Sequence, residues 1–106
     1  MRVMIVGGGF IGGHVAGRLR AEGCAVTVAG RRGADIACDL ACDDAAVWGE
    51  RLRGYDALVN CAGVLAAGAD YDGVHARGAI ALFDGAVQAG VARAIQISSL
   101  GAGDGM

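Results

Sequence analysis

The sequence predicts an α/β domain built on a doubly wound parallel sheet, and three observations carry that prediction. Arg2 to Val6 is an almost continuous apolar run, as expected of a central parallel strand covered on both faces. The run breaks at once into Gly7-Gly8-Gly9-Phe10-Ile11-Gly12, after which apolar residues return at helical spacing. From there to the last residues, short strand patterns alternate with helical ones, the signature of repeated β-α-β units.

The composition fits one such domain. The chain has 106 residues, 55% hydrophobic, with 20 glycines and no proline, and lacks a linker, a low-complexity tail or a block of like charge. Residues 1–106 are therefore expected to form a single domain. It is small for a complete protein of this α/β class, so a further part is expected to be missing. A net charge of -2 and a pI near 5.5 leave no footprint for nucleic acid or an acidic membrane surface. No stretch reaches the roughly 18 apolar residues of a transmembrane helix, and the N-terminal apolar run reads as strand and loop, so the expected location is cytoplasmic. Cys24, Cys38, Cys42 and Cys61 include no C-x-x-C pair, and His14 and His75 lie far from them in sequence. Reduced structural thiols are expected, with a zinc site the weaker alternative.

Each element follows from its residues. The first helix runs from about Phe10 to Glu22, with Ile11, Val15 and Leu19 on one face and Gly23 ending it. Ala25 to Ala29 is the second strand and leads into the turn Gly30-Arg31-Arg32-Gly33. Ala34 to Cys38 is a third, shorter strand, followed by Asp39 and Leu40. Asp43 and Asp44 sit where an N-cap and first-turn acids belong, which starts a helix at Ala45 that runs to about Arg53 with Val47, Trp48 and Leu52 inward. Asp56 to Gly63 is the fourth strand, Val64 to Tyr71 a loop, and Asp72 to Ala89 a helix with Val74, Ile80, Leu82, Phe83 and Val87 as candidate buried positions. Gly90 caps it, and Ala94 to Ser98 is the fifth strand. Right-handed crossovers give a five-stranded Rossmann-like sheet in the order 3-2-1-4-5.

Chemistry in such a sheet gathers at the carboxyl ends of the strands. In the G-x-G-x-x-G run, Gly7 permits a tight turn, Gly9 lets backbone approach a pyrophosphate, and Gly12 lets the helix pack close to the sheet. The amides of the helix start then face the anion, and the helix dipole favours it. About 20 residues further on, an acid would bind the ribose of NAD. This chain has Arg31 and Arg32 there, and guanidinium groups pair with the 2′-phosphate of NADP; NADP is the expected cofactor, with NAD as the alternative. Two exposed arginines in a turn are otherwise simply solvated. Asp39 either accepts a hydrogen bond from the adenine amino group or serves the turn. Asn60 reads as a loop stabiliser, His75 as structural and His14 as solvent-facing. Ser98 and Ser99 are hydroxyls at the mouth of the sheet or members of a turn.

Together, Val6 to His14, the Arg31-Arg32 pair, Asp39-Leu40, Val59-Asn60-Cys61-Ala62-Gly63 and Ile97-Ser98-Ser99-Leu100-Gly101-Ala102 resemble the N-terminal part of an atypical or extended short-chain dehydrogenase/reductase. The nearest resemblance is to the epimerase/dehydratase-like NAD(P)-binding proteins, including those similar to the accessory NAD(P)-binding subunit of respiratory complex I. It implies cofactor contacts at Gly7, Gly9, Phe10, Ile11, Gly12, Arg31, Arg32, Asp39, Leu40, Cys61, Ala62 and Gly63, and a catalytic role for Ser99. Tyr71 to Gly78 looks like the start of the family's long helix, with His75 where extended members often carry asparagine.

The departures bear on activity. Many extended members space their glycines G-x-x-G-x-x-G, and Val6 stands where the first of those would fall. The family's catalytic tyrosine is followed four residues later by a lysine, downstream of the serine; this chain contains no lysine, and Tyr55 and Tyr71 both precede Ser99. The resemblance implies an oxidoreductase or nucleotide-sugar epimerase acting on a small-molecule substrate. The rival expectation is a non-catalytic module that senses the cofactor or steadies a partner. The fifth strand, left at the sheet edge, and the helix before it are expected to self-associate or to be covered by a missing C-terminal part, with Phe83, Val87, Ile95 and Ile97 near the contact.

Overall fold

A computed structural model describes residues 1–31, 33–40, 42–61 and 77–97. Its elements are β1 (Arg2–Val6), α1 (Phe10–Ala21), β2 (Ala25–Gly30), β3 (Ile36–Ala37), α2 (Ala45–Arg51), β4 (Ala57–Asn60), α3 (Ala79–Ala89) and β5 (Arg93–Gln96). All strand pairs are parallel and the order is β3-β2-β1-β4-β5, as the sequence predicts.

The apolar run of β1 lies at the centre because both of its faces are covered. Met4 and Val6 join Leu58 of β4 in a cluster closed by Trp48 and Leu52 from the α2 region and by Leu82 and Ala86 of α3. Val3 and Ile5 join Ala57 and Val59 in a second cluster against Ala16, with Ile11, Val15 and Leu19 of α1 packed on it. Right-handed crossovers account for this division: the chain moves one way across the sheet from β1 to β2 and the other way from β3 through β5, so α1 takes one face and α2 and α3 the other.

Several elements differ from the sequence expectation for identifiable reasons. β3 is only two residues long, because the side chain of Asp35, not its backbone, meets the β2 edge: its Oδ2 accepts from the Val28 amide at 2.9 Å. α2 is capped by Asp44, whose Oδ1 accepts from the Val47 amide at 3.0 Å, and it ends at Arg51 instead of Arg53. Trp48 and Leu52 are fully buried, but Val47 is exposed. α3 closes at Gly90, which adopts a left-handed conformation (φ 78°). Leu82 is buried and Phe83 half-buried, whereas Ile80 and Val87 stand on the far side at 62% and 79% exposure. Their outward position follows from the α2–α3 contact. A Cβ added at Gly85 would lie 2.5 Å from Trp48 Cβ and 2.8 Å from the Gly49 amide nitrogen, so the helices meet closely at their glycines, with Leu82 in the core cluster of Trp48 and Ile80 and Val87 turned away. The expected Val74 lies outside the described residues. β4 ends its regular pairing at Asn60, although the Cys61 amide still donates to the Val6 carbonyl at 2.8 Å. β5 begins at Arg93, and all four of its residues are exposed. No helix among the described residues is long and apolar enough to cross a membrane.

The two kinds of helical glycine make opposite predictions. Gly85→Ala should destabilise the fold by roughly 1–3 kcal/mol, the range for overpacking a close contact. Gly17→Ala, in the exposed interior of α1 with nothing within 4 Å of an added Cβ, should instead stabilise it by roughly 0.5–1 kcal/mol. Urea unfolding of the two variants separates these effects by sign.

Candidate functional site

The carboxyl end of β1 runs straight into the glycine loop, and each of the three spaced glycines has a different physical role. Gly7 turns the chain with φ 100°, and its amide donates to the Ala29 carbonyl at 2.7 Å, which fastens the loop to β2. A Cβ at Gly12 would overlap the Gly7 carbonyl oxygen, so only glycine allows α1 to start this close to β1. Gly9 is the N-cap of α1 and has open space where a Cβ would be. It supplies no side-chain cap, so the first-turn amides of Phe10, Ile11 and Gly12 are donors with no partner from the cap residue. A helix start of this kind attracts an anion through those amides and the helix dipole. The side chains play other parts: Ile11 packs toward the Val3–Ile5 cluster, and the Phe10 ring is exposed and edge-on to His14, with centroids 4.5 Å apart.

The end of β2 comes down onto the same loop. A Cβ at buried Gly30 would lie 3.3 Å from the Gly8 nitrogen, so Arg31, the next residue, is exposed beside the loop. Gly33 then reverses the chain with φ 72°. Between this turn and α1 lies a cavity of about 220 Å³ lined by Gly8, Gly13, Val28 and Gly33, with Arg20 and Asp35 on its wall. Arg32 lies outside the described residues.

The end of β3 is held by a network the sequence reading missed. Asp39 is exposed, and its amide donates to Asp43 Oδ2 at 3.0 Å. The same carboxylate oxygen accepts from Arg51 Nη1 at 2.7 Å, and the Arg51 guanidinium lies over the Trp48 ring, 4.6 Å from its centroid. Burial alone would raise the Asp43 pKa, but the Asp39 amide and the Arg51 guanidinium together hold it below the usual carboxylate range. No sequence rule points to this pairing, since Asp43 and Arg51 are eight residues apart, beyond the i,i+4 reach of a helix face.

Two of the expected contact residues are packing residues in their side chains. Leu40 joins the Met4–Val6 cluster and Cys61 the Val3–Ile5 cluster, and burial raises the Cys61 thiol pKa. Burial likewise raises that of Cys38, aided by Asp43 and Asp39 and opposed by Arg51 and Arg31. The four cysteines are free, and no group of metal-ligating residues occurs among the described residues. Asn60 is buried and donates through Nδ2 to Gln96 Oε1 at 2.9 Å, which ties β4 to β5. Ala62, Gly63, His75 and Ser99 lie outside the described residues.

The amino-acid sequence matches a known family model, that of the NAD dependent epimerase/dehydratase family, over residues 3–105. The chain belongs to that family. Among solved structures, the chain is similar to a 3-alpha-hydroxysteroid dehydrogenase from Pseudomonas sp. B-0831 complexed with NADH, at 30% identity and a TM-score of 0.77, covering 98% of this chain and 46% of that one. It shares its fold with an oxidoreductase from Lactococcus lactis, at 24% identity and a TM-score of 0.78, covering 91% of this chain and 47% of that one. The fold is also that of the Thermus thermophilus UDP-glucose 4-epimerase, solved as a complex with NAD, at 24% identity and a TM-score of 0.64, covering 86% of this chain and 35% of that one. The chain thus spans less than half the length of each of these three structures. No curated protein matches it.

The Asp43 carboxylate has a pH signature. Because its pKa is lower folded than unfolded, its stabilisation is complete above the unfolded value of about 4 and is lost as the pH falls through the lower folded value. Asp43→Asn should cost roughly 1–2 kcal/mol at pH 7, as for a partly buried charged hydrogen bond. Urea unfolding from pH 7 down to 2 should show the gap between the two proteins constant at first and closing below about pH 4. A gap that stays constant to pH 2 would contradict the assigned pairing.

Proposed function

We propose that this chain is the NADP(H)-binding portion of a short-chain dehydrogenase/reductase-like protein, either an oxidoreductase or a nucleotide-sugar epimerase. The observation that carries the proposal is the start of α1 at Gly9, an N-cap that makes no side-chain cap hydrogen bond and has no atom within 4 Å of where its Cβ would lie. The residues present fit the cofactor. The pyrophosphate would lie on the amides of the Gly7–Gly12 loop, where Gly9 leaves room for it. The exposed Arg31 would pair with the 2′-phosphate, and the turn at Asp39 would meet the adenine amino group. Family membership and the NADH in the similar Pseudomonas enzyme support a dinucleotide. The preference for the 2′-phosphate rests on Arg31, a cation where an acid would suit NAD.

When bound, the nicotinamide supplies hydride transfer. The residues of this chain bind and orient the cofactor. No lysine is present in the 106 residues, so a tyrosine–lysine proton relay is not contained in them. The same residues also fit a non-catalytic module that senses the cofactor.

Calorimetric titration with NADPH and NADH tests the assignment. Wild type should prefer NADPH, and Arg31→Ala should lose roughly 1.5–3 kcal/mol of NADPH binding with little change for NADH, the range for a hydrogen bond to a charged group. Gly9→Ser should weaken both cofactors, because its hydroxyl takes a first-turn amide, yet it should leave the fold intact or slightly more stable, since serine is a favourable N-cap. Equal affinities for the two cofactors, unaffected by Arg31→Ala, would remove the NADP assignment.

A further inference from the structure

The Asp39 turn is held at both backbone polar groups of the residue. Its amide donates to Asp43 Oδ2 at 3.0 Å, and its carbonyl accepts from the Asp43 amide at 2.8 Å and the Cys42 amide at 3.0 Å. Behind Asp43 stands Arg51 at 2.7 Å, and behind Arg51 the indole of Trp48, which is fully buried and wedged against Gly85 of α3. This is a continuous line of contacts from the core to one exposed backbone position. The Asp43 and Arg51 side chains are only 21% and 22% exposed, whereas those of Arg18–Glu22 and Arg53–Glu50 lie mostly in solvent. The pair is not needed to start α2, because Asp44 already caps that helix. A fixed, half-sheltered carboxylate spent on one turn at a strand's carboxyl end has a positional consequence: it sets where Asp39 presents its own side chain.

We propose that Asp43 and Arg51 are positioning residues that hold Asp39 for recognition of the adenine amino group. The proposal rests on the cofactor reading above and adds a determinant of base selectivity to it. Arg51 acts only through Asp43, and Asp43 only through the Asp39 peptide. Removing either lets the turn relax, and a contact made by one carboxylate to one amino group is lost with small displacements.

The test compares reduced NADP with its hypoxanthine analogue, in which a carbonyl replaces the adenine amino group. Calorimetric titrations with wild type, Asp39→Ala, Arg51→Ala, Asp43→Asn and the solvent-exposed control Arg53→Ala give the preference of each protein for adenine. A preference is a ratio, so partial unfolding of a variant weakens both ligands alike and cancels. Wild type and Arg53→Ala should prefer adenine by about tenfold, one hydrogen bond to a charged group. Asp39→Ala should abolish that preference, and Arg51→Ala and Asp43→Asn should reduce it at least about threefold. Arg51→Lys should recover part of it by restoring the charge beside Asp43. If wild type binds neither ligand, the cofactor reading itself fails and this proposal with it. If wild type binds both equally, or Asp39→Ala keeps the preference, the adenine contact fails while cofactor binding stands. If Asp39→Ala loses the preference and both Arg51→Ala and Asp43→Asn keep it in full, the positioning role alone is overturned.

Discussion

The closest constraint in this structure is the approach of α1 to β1, where a single methyl group at Gly12 would overlap the carbonyl oxygen of Gly7. Much else depends on that proximity. It brings Ile11, Val15 and Leu19 onto the Val3–Ile5 face of the sheet, and it sets the height of the helix start above the strand ends. With the helix so low, the loop between must be short and must reverse sharply, and Gly7 does this at a positive φ that other residues rarely adopt. The helix start left there has no side-chain cap, and the Cβ position of Gly9 is open. One steric condition thus connects core packing to the geometry of the candidate anion site.

A second glycine contact organises the opposite face. Gly49 and Gly85 let α2 and α3 meet closely enough that Trp48 is enclosed, and Trp48 in turn supports the Arg51 guanidinium. From there the Asp43 carboxylate reaches the Asp39 peptide at the end of β3. The two faces of the sheet therefore each deliver one part of the candidate site: α1 the amides, α2 and its contacts the Asp39 turn. Arg31 is exposed and follows Gly30, whose Cβ position lies 3.3 Å from the Gly8 nitrogen.

The fold was legible because its signals are strong and local. An unbroken apolar β1, glycines at fixed spacing and a run of β-α units determine the strand order without any long-range information. The Asp44 cap was legible for the same reason, being read from the residue type before an apolar run. What failed was helix phase. Val47, Ile80 and Val87 are apolar and fall at helical spacing, but the α2–α3 contact is made by glycines, which carry no hydrophobic signal, and so these side chains turn outward. β3 is shorter than its residues suggest because Asp35 substitutes a side-chain acceptor for a backbone one, a choice that residue type alone does not reveal. In the candidate site, the tight turn at Gly7 and the close helix packing at Gly12 could be read from spacing. The burial of Leu40 and Cys61 could not, since a residue at a strand end faces either the core or the ligand. The Asp43–Arg51 pair depends on how α2 docks, which no pattern in the sequence encodes.

The most direct measurement is the change in backbone amide resonances of ¹⁵N-labelled protein on titration with NADPH. The expected result is that the largest and saturable shifts fall on the amides of Gly8 to Gly12, with a second group at Arg31 and Asp39, while α3 and β5 stay unchanged. Shifts confined to α3 or β5, or none at concentrations that saturate related enzymes, would contradict an anion site formed by the low, uncapped start of α1.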